Sequence, residues 1–299
     1  MEKVVLNIPH SSLVIPKWAA SDMIISPDEL SSLAQFMVDK DVDQLWEFVP
    51  EANKQVATVS RLVVDAERYR CDNEEPMASL GMGLYYTHTP EGKCFRLKSE
   101  GAYRKCLEIY DEYHGAFEKK VSDCLQANGS CIILDCHSFH DAMEYTGFGS
   151  EDFPDVCIGV NGIITEEARY VSEVFRQFGY SVEINKPFSG ALVPLRFLED
   201  ERVTSIMIEL NRRIYDNVAF EAVQNLCRQI YRCLCERRKN GINGNRTAFI
   251  QATKGGRSGE KSRTLCNHCN RHRGSANRND GIPDGSIGRK NANILCHRC

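Results

Sequence analysis

The sequence predicts an α/β fold: a mostly parallel twisted sheet with helices on both faces, followed by an irregular C-terminal tail. Three observations predict it. Short apolar, β-branched runs alternate with amphipathic stretches of about ten residues or more, the pattern of strand–helix–strand units. The run Ser130-Cys131-Ile132-Ile133-Leu134 is bounded upstream by Asn128-Gly129 and leads into Asp135-Cys136-His137-Ser138, so it reads as a buried strand. From Asn240 onward apolar residues nearly vanish and Gly, Asn, Ser and Arg dominate, so that stretch cannot bury a core.

The 299 residues suit one large domain, read as 1–239, plus an appendage over 240–299. Apolar content of 42% and charged content of 26% are ordinary for a globular protein. The net charge of -4 gives no electrostatic case for nucleic acid or a membrane surface. No apolar run approaches the ~20 residues that span a bilayer. The N-terminal apolar run is too short for a signal peptide and leads straight into a polar motif, so a cytoplasmic protein is expected. Its 14 cysteines are then mostly reduced, and Cys131, Cys136 and Cys157 read as small buried hydrophobes.

Taken in order, residues 3–8 form the first strand, and Pro9 turns the chain, so His10 stands at a strand end. Residues 28–49 carry a helical rhythm in Leu30, Leu33, Ala34, Met37, Val38, Leu45 and Trp46. Asp39 and Asp43, four apart, would share a face of that helix. The pair is either a solvated acidic face or one relieved of its repulsion by a cation. Residues 55–65 are β-branched and strand-like, ending in Asp65-Ala66-Glu67-Arg68. Arg61 and Arg68 beside Asp65 suit either a clamp on a substrate carboxylate or an internal salt bridge. Residues 71–98 are loop-rich, and 103–125 are a strong helix.

Further strands are expected over 156–160, 180–184 and 203–210, with helices over 165–178 and 217–238. The strand at 180–184 runs into the turn-rich stretch Asn185 to Ala191. Glu209 is an acid in an otherwise apolar strand. It serves either as a base with a raised pKa or as an ion-pair partner of Arg212 or Arg213. Ligands of open α/β sheets collect at the carboxyl ends of the strands. His10, His137 and Glu209 all fall at such ends.

These stretches together resemble the N-formylglutamate amidohydrolase family. The matching pieces are Pro9-His10-Ser11, Asp39-x-x-x-Asp43-x-Leu45, Ser60-Arg61-x-Val63-Val64-Asp65-x-x-Arg68, Asp135-x-His137-Ser138, Asn185-x-Pro187-Phe188-x-Gly190 and Glu209-x-Asn211-Arg212-Arg213-x-Tyr215. They occur in the family's order and cover roughly residues 3–217. Ser12 replaces the family's usual glycine, and Asp41 stands where a histidine is common. The resemblance implies a phosphorylase/hydrolase-like, zinc-carboxypeptidase-like sandwich with a metal at the strand ends. It implies hydrolysis of an N-acyl amino acid, the namesake reaction releasing formate and glutamate in histidine breakdown.

Amide hydrolysis at neutral pH needs an activated water, a stabilised oxyanion and a protonated leaving amine. Zinc, or another divalent ion, supplies the first two. Catalytic zinc commonly takes three protein ligands from His and carboxylate. The candidates are His10, His137 and Asp43, with Asp39 the next acid. Asp135 and Asp39 are candidates to orient an imidazole from behind. Glu209 is the candidate general base and acid. Arg61, Arg68 and Arg196 are candidates for substrate carboxylates or the oxyanion, and Asn185 and Ser138 for the amino-acid end.

The tail holds eleven Lys or Arg against three Asp or Glu, and it contains Cys266-x-x-Cys269 and Cys296-x-x-Cys299. Paired C-x-x-C knuckles are a structural-zinc signature. The 26-residue gap between them exceeds the usual ~15–20. The tail is therefore either a small zinc-ribbon-like module or an unstructured extension. A basic zinc module offers a nucleic-acid-binding alternative through the tail, although no aromatic stacking platform is present.

Overall fold

The computed structural model describes residues 1–140, 153–216 and 219–236. The basic tail, with Cys266, Cys269, Cys296 and Cys299, lies outside the described residues, as does its boundary at 239/240. Among the described residues six strands form one sheet: β1 Val4–Ile8, β2 Lys54–Val56, β3 Cys131–Phe139, β4 Val156–Gly159, β5 Val182–Ile184 and β6 Val203–Asn211. Their order is β2-β1-β3-β6-β4-β5. All neighbours are parallel except β4 and β6, which run antiparallel. The mostly parallel α/β sheet expected from the sequence is therefore present, with one antiparallel junction.

Among the described residues six helices accompany it: α1 Lys17–Ala20, α2 Pro27–Met37, α3 Val42–Leu45, α4 Glu100–Asn128, α5 Glu166–Gln177 and α6 Phe220–Glu236. The two faces of β3 explain the layering. Cys131 and Ile133 pack with Cys106, Tyr110, Phe117 and Val121 of α4 on one side. Ile132 and Leu134 pack with Val171 and Phe175 of α5 and Val223, Leu226 and Ile230 of α6 on the other. A strand covered on both faces must be apolar at consecutive positions, which is why this run looked continuous rather than alternating. Cys131, Cys136 and Cys157 are buried free thiols within these layers.

The helix signals are local. Ser99 caps α4 by accepting a bond from the Ala102 amide, and Gly129 ends it at φ 72°. Thr165 caps α5 in the same way through Ala168. Ser26 and Glu29 form a capping box at α2, with Pro27 at the first helical position. Among the described residues no helix is long and apolar enough to cross a membrane.

Two expected elements are corrected. The helix over 28–49 breaks after Met37. Val38 is extended, and Asp41 takes the left-handed conformation at φ 58° before the single turn of α3. Asp39 and Asp43 therefore do not share a helix face. The strand over 55–65 is only β2. Beyond it the chain turns, with the Val63 and Val64 amides both donating to the Ser60 carbonyl and the Ser60 amide to Val14. Burial of Leu62, Val63 and Val64 in loop layers satisfied the apolar run without a sheet.

Candidate active site

The three central strands set the site. β1 is followed within two residues by His10, β3 carries Asp135 and His137, and β6 carries Glu209. Asp135 and His137 share a face because strand side chains alternate. The parallel register sets His137 opposite Glu209 and Asn7 opposite Asp135. The His10 and His137 rings lie 5.2 Å apart, both almost wholly buried.

Each imidazole is held from behind by a carboxylate. His10 Nε2 lies 2.8 Å from Asp65 Oδ1, and His137 Nδ1 lies 3.0 Å from Asp39 Oδ2. An acceptor on one ring nitrogen fixes the proton there and presents the other nitrogen as a lone pair. The other nitrogens are His10 Nδ1 and His137 Nε2; both face Glu67, at 3.9 and 3.0 Å, and His10 Nδ1 also lies 3.6 Å from Asp39 Oδ2. His10, Glu67 and His137 offer ligand atoms that all lie within 4.8 Å of one another. Asp43, the acid expected from spacing, is not in this group. It sits on α3, beyond the left-handed turn at Asp41, while Glu67 arrives from the turn after Asp65. Asp65 also ties Glu67 down, its Oδ1 accepting the Glu67 amide at 3.0 Å.

Asp65 is the hub on the His10 side. Its Oδ2 accepts from Tyr86 Oη at 2.6 Å and from Arg61 Nη2 at 2.9 Å. Arg68 Nη2 donates to Tyr86 Oη at 3.2 Å. The internal salt bridge is thus present: Arg61 and Arg68 both lie against Asp65, at 2.9 and 3.5 Å, and Arg61 Nη1 also lies 3.8 Å from Asp39 Oδ1. Burial disfavours the Asp65 anion, but the His10, Arg61 and Arg68 charges outweigh burial and hold its pKa well below the usual value. On the His137 side Asp135 accepts from Asn7 Nδ2 at 2.7 Å and from the Leu192 amide at 2.8 Å. Asp135 Oδ1 is also 3.1 Å from His137 Nε2, the presented nitrogen rather than the back one.

Glu209 is partly exposed as a residue, yet its Oε2 is buried and without a hydrogen-bond partner. Burial raises its pKa first; the nearby Asp39 and Glu67 charges add to this, against His137 and His10, and the carboxyl is pushed up to about 8. Neither neighbouring arginine neutralises it. Arg213 Nε pairs with Asp155 at 3.0 Å, and Arg212 donates to the Val38 carbonyl and to Ser138 Oγ.

Other expected site residues are engaged elsewhere. Ser138 follows His137 on the opposite face, where its hydroxyl accepts from Arg212. Asn185, at φ 57°, braces its own loop by accepting from the Val160 and Gly190 amides. Arg196 is an exposed residue paired with Glu118 of α4. The residues that spacing missed are Asp65 behind His10, named from the sequence only as a neighbour of Arg61 and Arg68, Glu67 and Tyr86. Glu67 had a signal, an acid two positions past Asp65 in the same turn; Tyr86 sits in a loop-rich stretch with none.

The donor set of two imidazoles and a carboxylate is that of catalytic zinc. The buried and unbonded His10 Nδ1 is an atom that such an ion would satisfy. The residues fit a divalent metal.

The sequence model of the N-formylglutamate amidohydrolase family matches residues 2–216. The chain belongs to that family. An N-formylglutamate amidohydrolase from Ralstonia eutropha is similar in structure, with a TM-score of 0.68 and 23% identity, covering 79% of this chain and 93% of the other. A gene product of Agrobacterium tumefaciens is similar at a TM-score of 0.58 and 18% identity, covering 78% and 90%. At these identities the two structures speak for the fold. No curated protein matches the chain. Membership makes the chain an amidohydrolase, and the family match ends at residue 216, just past the Glu209-to-Tyr215 stretch.

Proposed function

We propose that this amidohydrolase cleaves the amide of an N-acyl amino acid, with N-formyl-L-glutamate, giving L-glutamate and formate, as the first substrate to test. The reading also assigns a divalent metal, zinc first, to His10 Nδ1, His137 Nε2 and the Glu67 carboxylate. Bound there, such an ion supplies Lewis acidity: it polarises a carbonyl and brings the pKa of water to ~7.

The protein's own groups then divide the work. Asp65 and Asp39 hold the two imidazoles in one tautomer and one orientation. Glu209 takes the proton of the attacking water on its unpartnered Oε2 and passes it to the leaving nitrogen. A buried carboxyl with a raised pKa is suited to both transfers near neutral pH. Arg61 and Arg68 present positive charge to the substrate carboxylates and to the developing oxyanion. Their planar forks suit a carboxylate better than an ammonium point charge would.

The observation that carries this reading is the meeting of His10, Glu67 and His137 within 4.8 Å, with Glu209 in register beside His137. The test combines metal analysis of the purified protein with a hydrolysis screen over N-formyl and N-acetyl amino acids. Metal at one ion per chain with turnover of N-formylglutamate is the expected result. A protein that binds no divalent ion and cleaves none of these amides would overturn it.

A further inference from the structure

Asp39 orients His137, yet it lies in the irregular junction between α2 and α3, where no helix or strand holds it. The bonds that do hold it are unusual in origin. Its own amide donates to the His10 carbonyl at 2.9 Å. The two carbonyls that flank it are gripped by side chains from the turn after β6: Arg212 Nη2 donates to the Val38 carbonyl, and Tyr215 Oη donates to the Lys40 carbonyl at 2.7 Å. Lys40 Nζ adds an ion pair to Asp216 at 2.8 Å. Arg212 and Tyr215 stand three and six positions after Glu209.

Arg212 is 9% exposed, and among the described residues no carboxylate lies within ion-pair distance of it. Its two bonds go to neutral acceptors, the Val38 carbonyl and Ser138 Oγ. A guanidinium is costly to bury without an anion, and its rigid fork is best used to fix the direction of its acceptors. Tyr215, at 1% exposure, has its hydroxyl bonded to a carbonyl beside Asp39. A carbonyl held on each side leaves the intervening residue little freedom in φ and ψ.

We propose that Arg212 and Tyr215 are positioning residues: together they clamp the Val38–Lys40 carbonyls, fix the Asp39 carboxylate on His137 Nδ1, and couple that carboxylate to the strand that carries Glu209. The clamp rests on the metal-site reading above for its effect on zinc, and on the hydrogen bonds alone for its effect on the loop. Groups that orient metal-ligating histidines typically change metal affinity ~10–100-fold when lost. A clamp acting through Asp39 transmits part of that change.

The test uses the full chain, stripped of metal, with two readouts. Zinc affinity is measured by competition with a chromophoric chelator for the wild type, Tyr215→Phe, Arg212→Gln, Arg212→Lys, Asp39→Asn and Asp39→Asn/Tyr215→Phe. Tyr215→Phe removes one oxygen and guards against simple misfolding. Expected are ~10-fold weaker zinc binding in Tyr215→Phe and Arg212→Gln, partial recovery in Arg212→Lys, and no further loss when Tyr215→Phe is added to Asp39→Asn. Amide hydrogen exchange over residues 38–41 of the metal-free protein is the second readout, and it speeds up in Tyr215→Phe.

Unchanged exchange in Tyr215→Phe overturns the clamp whether or not the protein binds zinc. Full additivity of Tyr215→Phe with Asp39→Asn also overturns it, since the hydroxyl would then act elsewhere. A wild type that binds no zinc, while exchange responds as expected, supports the clamp on the loop and removes the metal reading instead.

Discussion

His137 and Glu209 are register partners on adjacent parallel strands, β3 and β6, at the carboxyl edge of the sheet. The pairing matters because it brings an imidazole and an unpartnered carboxyl together without any loop having to fold first. Glu209 projects from backbone paired on both sides, with His137 of β3 on one and Cys157 of β4 on the other, and His137 from backbone paired to β6. The distance between the His137 and Glu209 side chains is therefore set by the sheet, the stiffest part of the fold.

Glu209→Gln keeps the shape and loses the proton acceptor. General acid–base groups contribute typically ~10²–10⁴-fold, so kcat falls by about that factor. Metal content, read by elemental analysis on the same preparation, stays at the wild-type value. Turnover within a few-fold of wild type would remove Glu209 from the mechanism.

Glu67→Ala loses most of its bound metal, while Asp43→Ala keeps it. The contrast follows from Glu67 lying 3.0 Å from His137 Nε2 and grouping with both imidazoles. A removed ligand leaves two imidazoles, too few for the three-ligand sites that hold catalytic zinc. Stoichiometry after dialysis decides the matter, and the opposite pattern would restore Asp43 as the third ligand.

Gly159→Ala destabilises the protein by about 1–3 kcal/mol, the usual cost of an added methyl that finds no space. A Cβ there would collide with the Gly190 carbonyl oxygen and come within 2.9 Å of Met207 Cβ. One obstacle is backbone, so β4 and the 185–191 loop would have to separate. Urea unfolding measures the loss, and a variant as stable as wild type contradicts the close packing of that loop on β4.

Asp155→Asn makes stability less dependent on pH in acid. Burial alone would raise the Asp155 pKa, but the Ser181 amide and hydroxyl each donate to its Oδ2 at 2.9 Å and Arg213 Nε donates to its Oδ1 at 3.0 Å, so the folded value lies below the ordinary one. A carboxyl whose pKa is depressed by folding contributes fully above its unfolded value, about 3.9, and the contribution is lost as pH falls through the folded value. The stability gap between wild type and Asp155→Asn, taken from urea unfolding, is therefore widest near neutral pH and narrows below about pH 4. A gap that stays constant from neutral pH into acid would show that the anion is not what Ser181 and Arg213 stabilise.

The sequence by itself determined the sheet, the long helices and the strand ends that carry His10, His137 and Glu209. Those features rest on local patterning: apolar runs of strand length, amphipathic periods, and caps such as Ser99, Thr165 and Gly129. Only the tertiary structure decided which acid joins the imidazoles, which carboxylate stands behind each ring, and what holds Asp39 in place. Asp65 meets His10 across 55 positions and Asp39 meets His137 across 98. Both partners come from segments whose local signals misled, a helix rhythm broken at Asp41 and a β-branched run folded into turns at Ser60. Periodicity reports which side chains seek burial, whereas the meeting of His10, Glu67 and His137 depends on hydrogen bonds between loops that only the closed fold brings into reach.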